Sequence, residues 1–310
     1  MEYRRANRAF MFMILSTILM GVLISAWYLT SGEELSVLWN NVLCELVVIV
    51  PAIAAVLYSG ESLGSVISLK KYNIVSVLLT ILYVFALFPL ITLVNSISMI
   101  FVENMVDSIS DSVIAMPMWI MLLSMGVISP FVEEVVFRGI FFHTYKRSGR
   151  ILASIILSSV LFGMMHLNFN QFTYAAVMGV MFCLLVEATG SVWSSFLAHG
   201  VFNSIEVIFL YTSEYFMDDV EQIAETQVGG DYGLLPAIGL YLLLAAIFTP
   251  IAICIVYKIA KIEGREAALT SILKGEKDNN RGSLISFPLI VGIVIAVGYM
   301  GIIAITPYLK

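Results

Sequence analysis

The sequence predicts an all-α, polytopic membrane protein of about nine transmembrane helices, with its N-terminus in the cytoplasm. Three observations carry that prediction. Of the 310 residues, 60% are hydrophobic and only 12% are charged, giving a mean hydropathy of +0.97. Apolar runs repeatedly approach or exceed the roughly 20 residues that a helix needs to cross a bilayer. The basic residues fall in alternate connections between those runs, as the orientation rule for membrane proteins requires. Long continuous runs exclude a β-barrel, whose strands would be short and alternating. The expected location is the cell membrane, as a multi-pass protein surrounded by lipid bilayer, with no nucleic-acid partner.

Taken in order, the spans are expected at Ala9–Leu29, Leu35–Tyr58, Tyr72–Val102, Val113–Phe142, Ile151–Leu167, Phe172–Val186, Val192–Leu210, Leu234–Tyr257 and Leu284–Thr306. The first follows Arg4, Arg5 and Arg8 as a signal peptide would. Its run is longer than a signal core, however, and no small-x-small site follows it, so it reads as an uncleaved helix. The third exceeds one untilted span and contains Pro89, which predicts a kink or a turn at one end. Three segments organise the chain: 1–112 with three helices, 113–210 with four, and 211–310. The last holds an acidic outer loop (211–233), a helix, a basic cytoplasmic loop and a final helix. Residues 260–274 read equally as a basic helix on the inner leaflet or as a solvated loop.

Charge tests the helix count. With the N-terminus inside, the inner connections hold Arg4, Arg5, Arg8, Lys70, Lys71, Lys146, Arg147, Arg150, Lys258, Lys261, Arg265, Lys274, Lys277 and Arg281. These are fourteen of the sixteen Lys and Arg; Arg138 and Lys310 are the others. The outer connections hold Glu33, Glu34, Glu103, Asp107, Asp111, Glu214, Asp218, Asp219, Glu221, Glu225 and Asp231. A miscounted helix would have scrambled this alternation beyond the error. Cys44, Cys183 and Cys254 are scattered within apolar runs and read as small apolar side chains.

Polar groups inside the spans point to chemistry. Glu133, Glu134 and Arg138 interrupt an apolar run, where charged side chains are costly and usually functional. On a helix, Glu134 and Arg138 lie at i and i+4 and can pair, while Glu133 faces about 100° away from Glu134. His166 is expected within the fifth span. His199 and Asn203 share a face of the seventh, continued by Glu206. Counted from the inner boundaries at 1.5 Å per residue, Glu133, His166 and Asn203 fall at about 18, 22 and 17 Å, and His199 at about 11 Å. They converge near one level.

That set suits hydrolysis. An unpaired carboxylate in an apolar surrounding is a competent general base. His166 can share a water with it, and His199 with Asn203 can donate to an oxyanion at a peptide carbonyl. Glu133, His166 and His199 could instead hold a catalytic zinc, although no short His-x-x-x-His pair exists. Metal-free glutamate catalysis, with no cofactor, is the preferred expectation. Each group also has a structural reading: an ion pair that packs helices for Glu134 and Arg138, a helix–helix hydrogen bond for either histidine. Glu45 and Glu206 are single acids, Glu187 sits near an inner boundary, and His143 reads as interfacial.

Glu133-Glu134-x-x-x-Arg138, Phe162-x-x-x-His166 and His199-x-x-x-Asn203, in this order on successive segments, resemble the CAAX prenyl protease and bacteriocin-processing (Abi) family of intramembrane endopeptidases. The resemblance spans roughly residues 115–210. It implies that Glu133 is the catalytic base, supported by Glu134 and Arg138. It further implies that His166 helps activate water and that His199 and Asn203 stabilise the oxyanion. It implies a peptide or membrane-protein substrate, prenylated in eukaryotic and archaeal relatives, and a family often grouped with metalloproteases. Two other functions fit the composition: a non-catalytic immunity or scaffold protein of the same fold, and a proton-coupled transporter. A transporter more often shows internal repeats, and none is evident.

Overall fold

A computed structural model describes residues 1–104, 109–227, 233–274 and 283–306, with the side chains of 214–227 and 273–274 excluded. The helices are α1 (Tyr3–Ser31), α2 (Val37–Leu57), α3 (Leu63–Val66), α4 (Ile74–Ser98) and α5 (Ser110–Ile114). They continue with α6 (Met118–Lys146), α7 (Ile151–Met164), α8 (Phe169–Thr189), α9 (Val192–Gln227), α10 (Leu234–Ile262), α11 (Glu266–Lys274) and α12 (Phe287–Ile305). Among the described residues, eight helices are long and apolar enough to cross a membrane; the fifth expected span, α7, has 14 residues and is the one that falls short. The all-α, multi-pass expectation of about nine helices therefore stands within one.

Local sequence sets the helix ends. Ser36 accepts from the Trp39 amide, Asn73 from the Val75 amide and Asn168 from the Gln171 amide, each closing one orphan donor. Gly32 ends α1 at φ 71°, and Gly190 ends α8 at φ 73°. A side chain at Gly190 would also meet the Arg265 guanidinium at about 3.0 Å.

Burial separates centre from rim. The central windows of α6 and α8 are 56% and 61% buried, whereas those of α1, α2, α10 and α12 are 17–22% buried. Aromatic and aliphatic side chains such as Trp27, Leu82, Leu243 and Ile302 stay exposed on the peripheral helices, as lipid-facing residues do. One buried cluster joins α1, α2, α6, α7 and α12 through Phe10, Ala52, Phe137, Phe141, Leu161 and Ala296. A second joins α4, α8, α9 and α10 through Tyr83, Phe182, Leu185, Phe202, Val256 and Ile259. α7 and α8 form a close antiparallel hairpin between them. A Cβ on Gly179 would stand 2.7 Å from that of Ser159, and one on Gly163 would stand 2.7 Å from the Phe172 carbonyl oxygen.

Four expectations need correction. The fifth span ends at Met164 rather than Leu167, so His166 lies in the turn after the helix and Leu167 takes a left-handed φ of 52°. At 14 residues, α7 is about 21 Å long, short of a full hydrocarbon core. The expected acidic loop 211–233 is instead helical as far as Gln227, because α9 runs for 36 residues, or about 54 Å. The fourth span does not begin at Val113: α5 stops at Ile114, and Pro117 opens a new helix at Met118. Residues 260–274 resolve in favour of a helix over 266–274, whose Leu269 and Ile272 pack beside Phe142 and Cys183. α4 continues through Pro89. The expected positions of Asp107, Asp231, Lys277, Arg281 and Lys310 lie outside the described residues, as do the side chains of Glu214, Asp218, Asp219, Glu221, Glu225 and Lys274. The cysteines carry no disulfide.

Candidate active site

Two stretches of π-helix, Ser124–Ile128 and Val135–Phe142, bracket the carboxylates of α6. Such wide turns are rare and concentrate at functional sites. Between them, Ser129–Glu134 is ordinary α-helix.

The structure brings five of the six expected site residues into one hydrogen-bonded or packed assembly. Arg138 Nη1 lies 2.8 Å from Glu134 Oε1, and both side chains are fully buried. The contact lacks hydrogen-bond geometry, and no guanidinium nitrogen of Arg138 has a hydrogen-bonding partner among the described residues. Its remaining contacts are aromatic: the guanidinium carbon sits 4.2 Å from the centroid of the Phe162 ring and 5.3 Å from that of Phe182. Buried cation–π contacts of this kind stabilise by about 2 kcal/mol. The expected ion pair is present, held between two rings that close the arginine off from lipid.

His199 bridges the two carboxylates. Its Nδ1 is 3.0 Å from Glu134 Oε1 and its Nε2 is 3.6 Å from Glu133 Oε2. An ionised carboxylate only accepts, so the arginine-paired Glu134 assigns a proton to Nδ1. In the neutral ring, Nε2 then faces Glu133 as a second acceptor, and only a proton or a shared water satisfies both. Phe162 and Phe182 also hold this ring, at centroid separations of 5.8 and 5.4 Å.

His166, beyond the end of α7, points Nδ1 at the Phe162 carbonyl oxygen 3.2 Å away, and its ring stands edge-on to the Phe162 ring. A carbonyl accepts, so Nδ1 carries the proton and Nε2 keeps its lone pair. Non-helical backbone at this depth is tolerated where protein or a water-filled cavity surrounds it. Asn203 donates from Nδ2 to the Met125 carbonyl oxygen, at 3.1 Å. That carbonyl belongs to the first π segment, whose irregular bonding leaves it available to a side chain. The second hydrogen of Nδ2 remains unassigned.

Glu133 is the accessible member of the set. Its side chain is 20% exposed, against 0% for Glu134 and Arg138 and 5% for His199. Close approach of α6 and α9 rests on glycine: a Cβ on Gly200 would stand 2.7 Å from the Gly126 carbonyl oxygen. Sequence reasoning missed Phe182, the Met125 carbonyl and the seam of Asn41, Ser124 and Ser129 described below. Phe162 was visible only as a motif letter, yet it touches Arg138, His166 and His199. Glu187 pairs with Lys146 at 2.5 Å.

Among the described residues, no group of three or more His, Cys, Asp or Glu side chains stands together as metal ligands would. The zinc alternative of Glu133, His166 and His199 is thus not gathered in this arrangement, and no step is routed through a metal.

Comparison with known proteins falls on the same region. Residues 115–205 match the family described as type II CAAX prenyl endopeptidase Rce1-like. A Bacillus subtilis (strain 168) protein named "Putative membrane peptidase YdiL" is 32% identical over 103 residues, which is 33% of this chain and 41% of that protein. The chain thus spans about two fifths of the length of the curated relative that it matches. No solved structure matches the chain.

Proposed function

We propose that this multi-pass membrane protein, whose residues 115–205 match the Rce1-like family model and which resembles a named putative membrane peptidase over 103 residues, is an intramembrane endopeptidase of the CAAX protease and bacteriocin-processing type acting on a peptide or membrane-protein substrate. The observation that carries the reading is the asymmetry of the two carboxylates. Glu134 is neutralised by Arg138 and sealed from solvent, whereas Glu133 remains partly exposed with the lone-pair side of His199 against it. An immunity or scaffold protein has no need of that asymmetry.

In the proposed reaction, Glu133 takes a proton from water while His166 Nε2 accepts a hydrogen bond from the same water. The water oxygen attacks the peptide carbonyl, and the free hydrogen of Asn203 Nδ2 donates to the oxyanion. His199 joins as a second donor only with a proton on Nε2. On collapse of the tetrahedral intermediate, Glu133 returns its proton to the leaving amine. Glu134 and Arg138 hold the ring of His199 and the helix face that presents Glu133.

Reconstitution tests this. Purified protein in lipid vesicles, incubated with a library of apolar peptides, is expected to generate internal cleavage products detectable by mass spectrometry. Folded, reconstituted protein that cleaves nothing in the library, with membrane-protein substrates also left intact, would contradict the reading. The same assay addresses metal. Cleavage should persist under a strong chelator, and the protein should carry no stoichiometric zinc. Loss of activity on chelation, restored by adding zinc back, would reverse the metal-free assignment, since ligation is reversible.

The cytoplasmic N-terminus is part of the same proposal, supported by the alternation of basic and acidic connections. A reporter fused after Lys274 should read as cytoplasmic, and one inserted near Asp219 as external. The opposite result at either site would mean a miscounted crossing between them.

A further inference from the structure

Glu45 lies on α2, outside the segment that matches the family, and nothing in the proposed reaction uses it. It is 8% exposed, and its Oε2 has no hydrogen-bonding partner among the described residues. Its surroundings form a polar seam between α2 and α6. Asn41 and Glu45, one turn apart on α2, face Ser124, Ser129 and Glu133 on α6. Asn41 Nδ2 donates to Ser124 Oγ at 2.7 Å, and Ser129 Oγ donates to Asn41 Oδ1 at 3.3 Å. The Ser129 hydroxyl also stands beside Glu45. Ser129 is one turn before Glu133, so the seam ends at the proposed base. Glu45 is near enough to Glu133 for the two carboxylates to interact.

This placement is unfavourable by itself. A buried carboxylate without a counter-ion is costly, and a second carboxylate beside it adds repulsion. Buried charge retained against stability is a mark of function.

We propose that Glu45 is a positioning residue of the active site, holding Glu133 through Ser129 and through charge repulsion in the orientation that takes the proton from water. Repulsion turns the Glu133 carboxylate away from α2 and toward His199. The inference rests on the endopeptidase reading, and the test separates the two.

The variants are Glu45→Gln, Glu45→Asp and Glu133→Gln, reconstituted and assayed on whichever peptide of the apolar library the wild type cleaves best. Glu45→Gln is expected to lower kcat by roughly tenfold or more, as supporting residues do, with KM nearly unchanged. Glu45→Asp should recover part of the loss. The thermal midpoint of Glu45→Gln should equal or exceed that of wild type. Wild-type kcat in Glu45→Gln, or a loss that tracks a lowered midpoint, would overturn the inference and leave the endopeptidase reading intact. Wild-type turnover by Glu133→Gln would overturn the reading itself. A thermal cycle needs no substrate: the effects of Glu45→Gln and Glu133→Gln should be non-additive, because each relieves the same repulsion. Additive effects would overturn the inference.

Discussion

Replacing Glu133 by glutamine is expected to slow peptide cleavage by about 10²–10⁴-fold, the usual contribution of a positioned general base. Gln keeps the size of the side chain and one acceptor oxygen, and it places an amide where the carboxylate faced His199 Nε2 at 3.6 Å. The amide can even donate to that lone pair, so membrane insertion and folding should match wild type. Expression level, monodispersity in detergent and thermal unfolding check the second half of this expectation. A variant that folds well and keeps wild-type turnover would remove Glu133 from the chemistry.

Arg138→Ala should act on fold and activity together. The side chain is fully buried, lies against Glu134 and fills the space between Phe162 and Phe182. Removing it leaves Glu134 as a buried anion without its counter-ion, at a cost of about 3–5 kcal/mol. Lysine is not expected to substitute well, because an ammonium cannot lie flat between two rings as a guanidinium does. Thermal unfolding and yield of the solubilised protein provide the measurement. An Arg138→Ala protein as stable as wild type would contradict the pairing.

Much of this was legible in the residues. Apolar run length yields the membrane class, because a bilayer sets helix length directly. The spacing of Glu134 and Arg138 yields their pairing, because four residues return nearly to the same face. The pair survives even though the following turn is π-helical, since the contact needs proximity and not ideal pitch. Other features depend on tertiary context. His166 looked embedded in a span because Leu161 to Leu167 is an apolar run, and only the packing of α7 on α8 shows that the helix stops at Met164. The acidic stretch after Leu210 looked like a loop because charge marks the membrane exit. Charge does not end a helix, however, and α9 continues to Gln227. Glu45 read as one isolated acid, since nothing in a linear sequence places it opposite Ser129 and Glu133. Phe182 likewise has no local signature: it matters because α8 carries it to the open face of Arg138.

The central claim is that this chain hydrolyses peptide bonds within the membrane and that Glu133 is the base. Quantitative terminal proteomics of membrane fractions tests it most directly, comparing cells that carry the wild-type chain with cells that carry Glu133→Gln at equal abundance. The account predicts at least one new terminus, in or next to an apolar segment, that is present with wild type and lost with the variant. Identical sets of termini, with both proteins folded and correctly inserted, would contradict it.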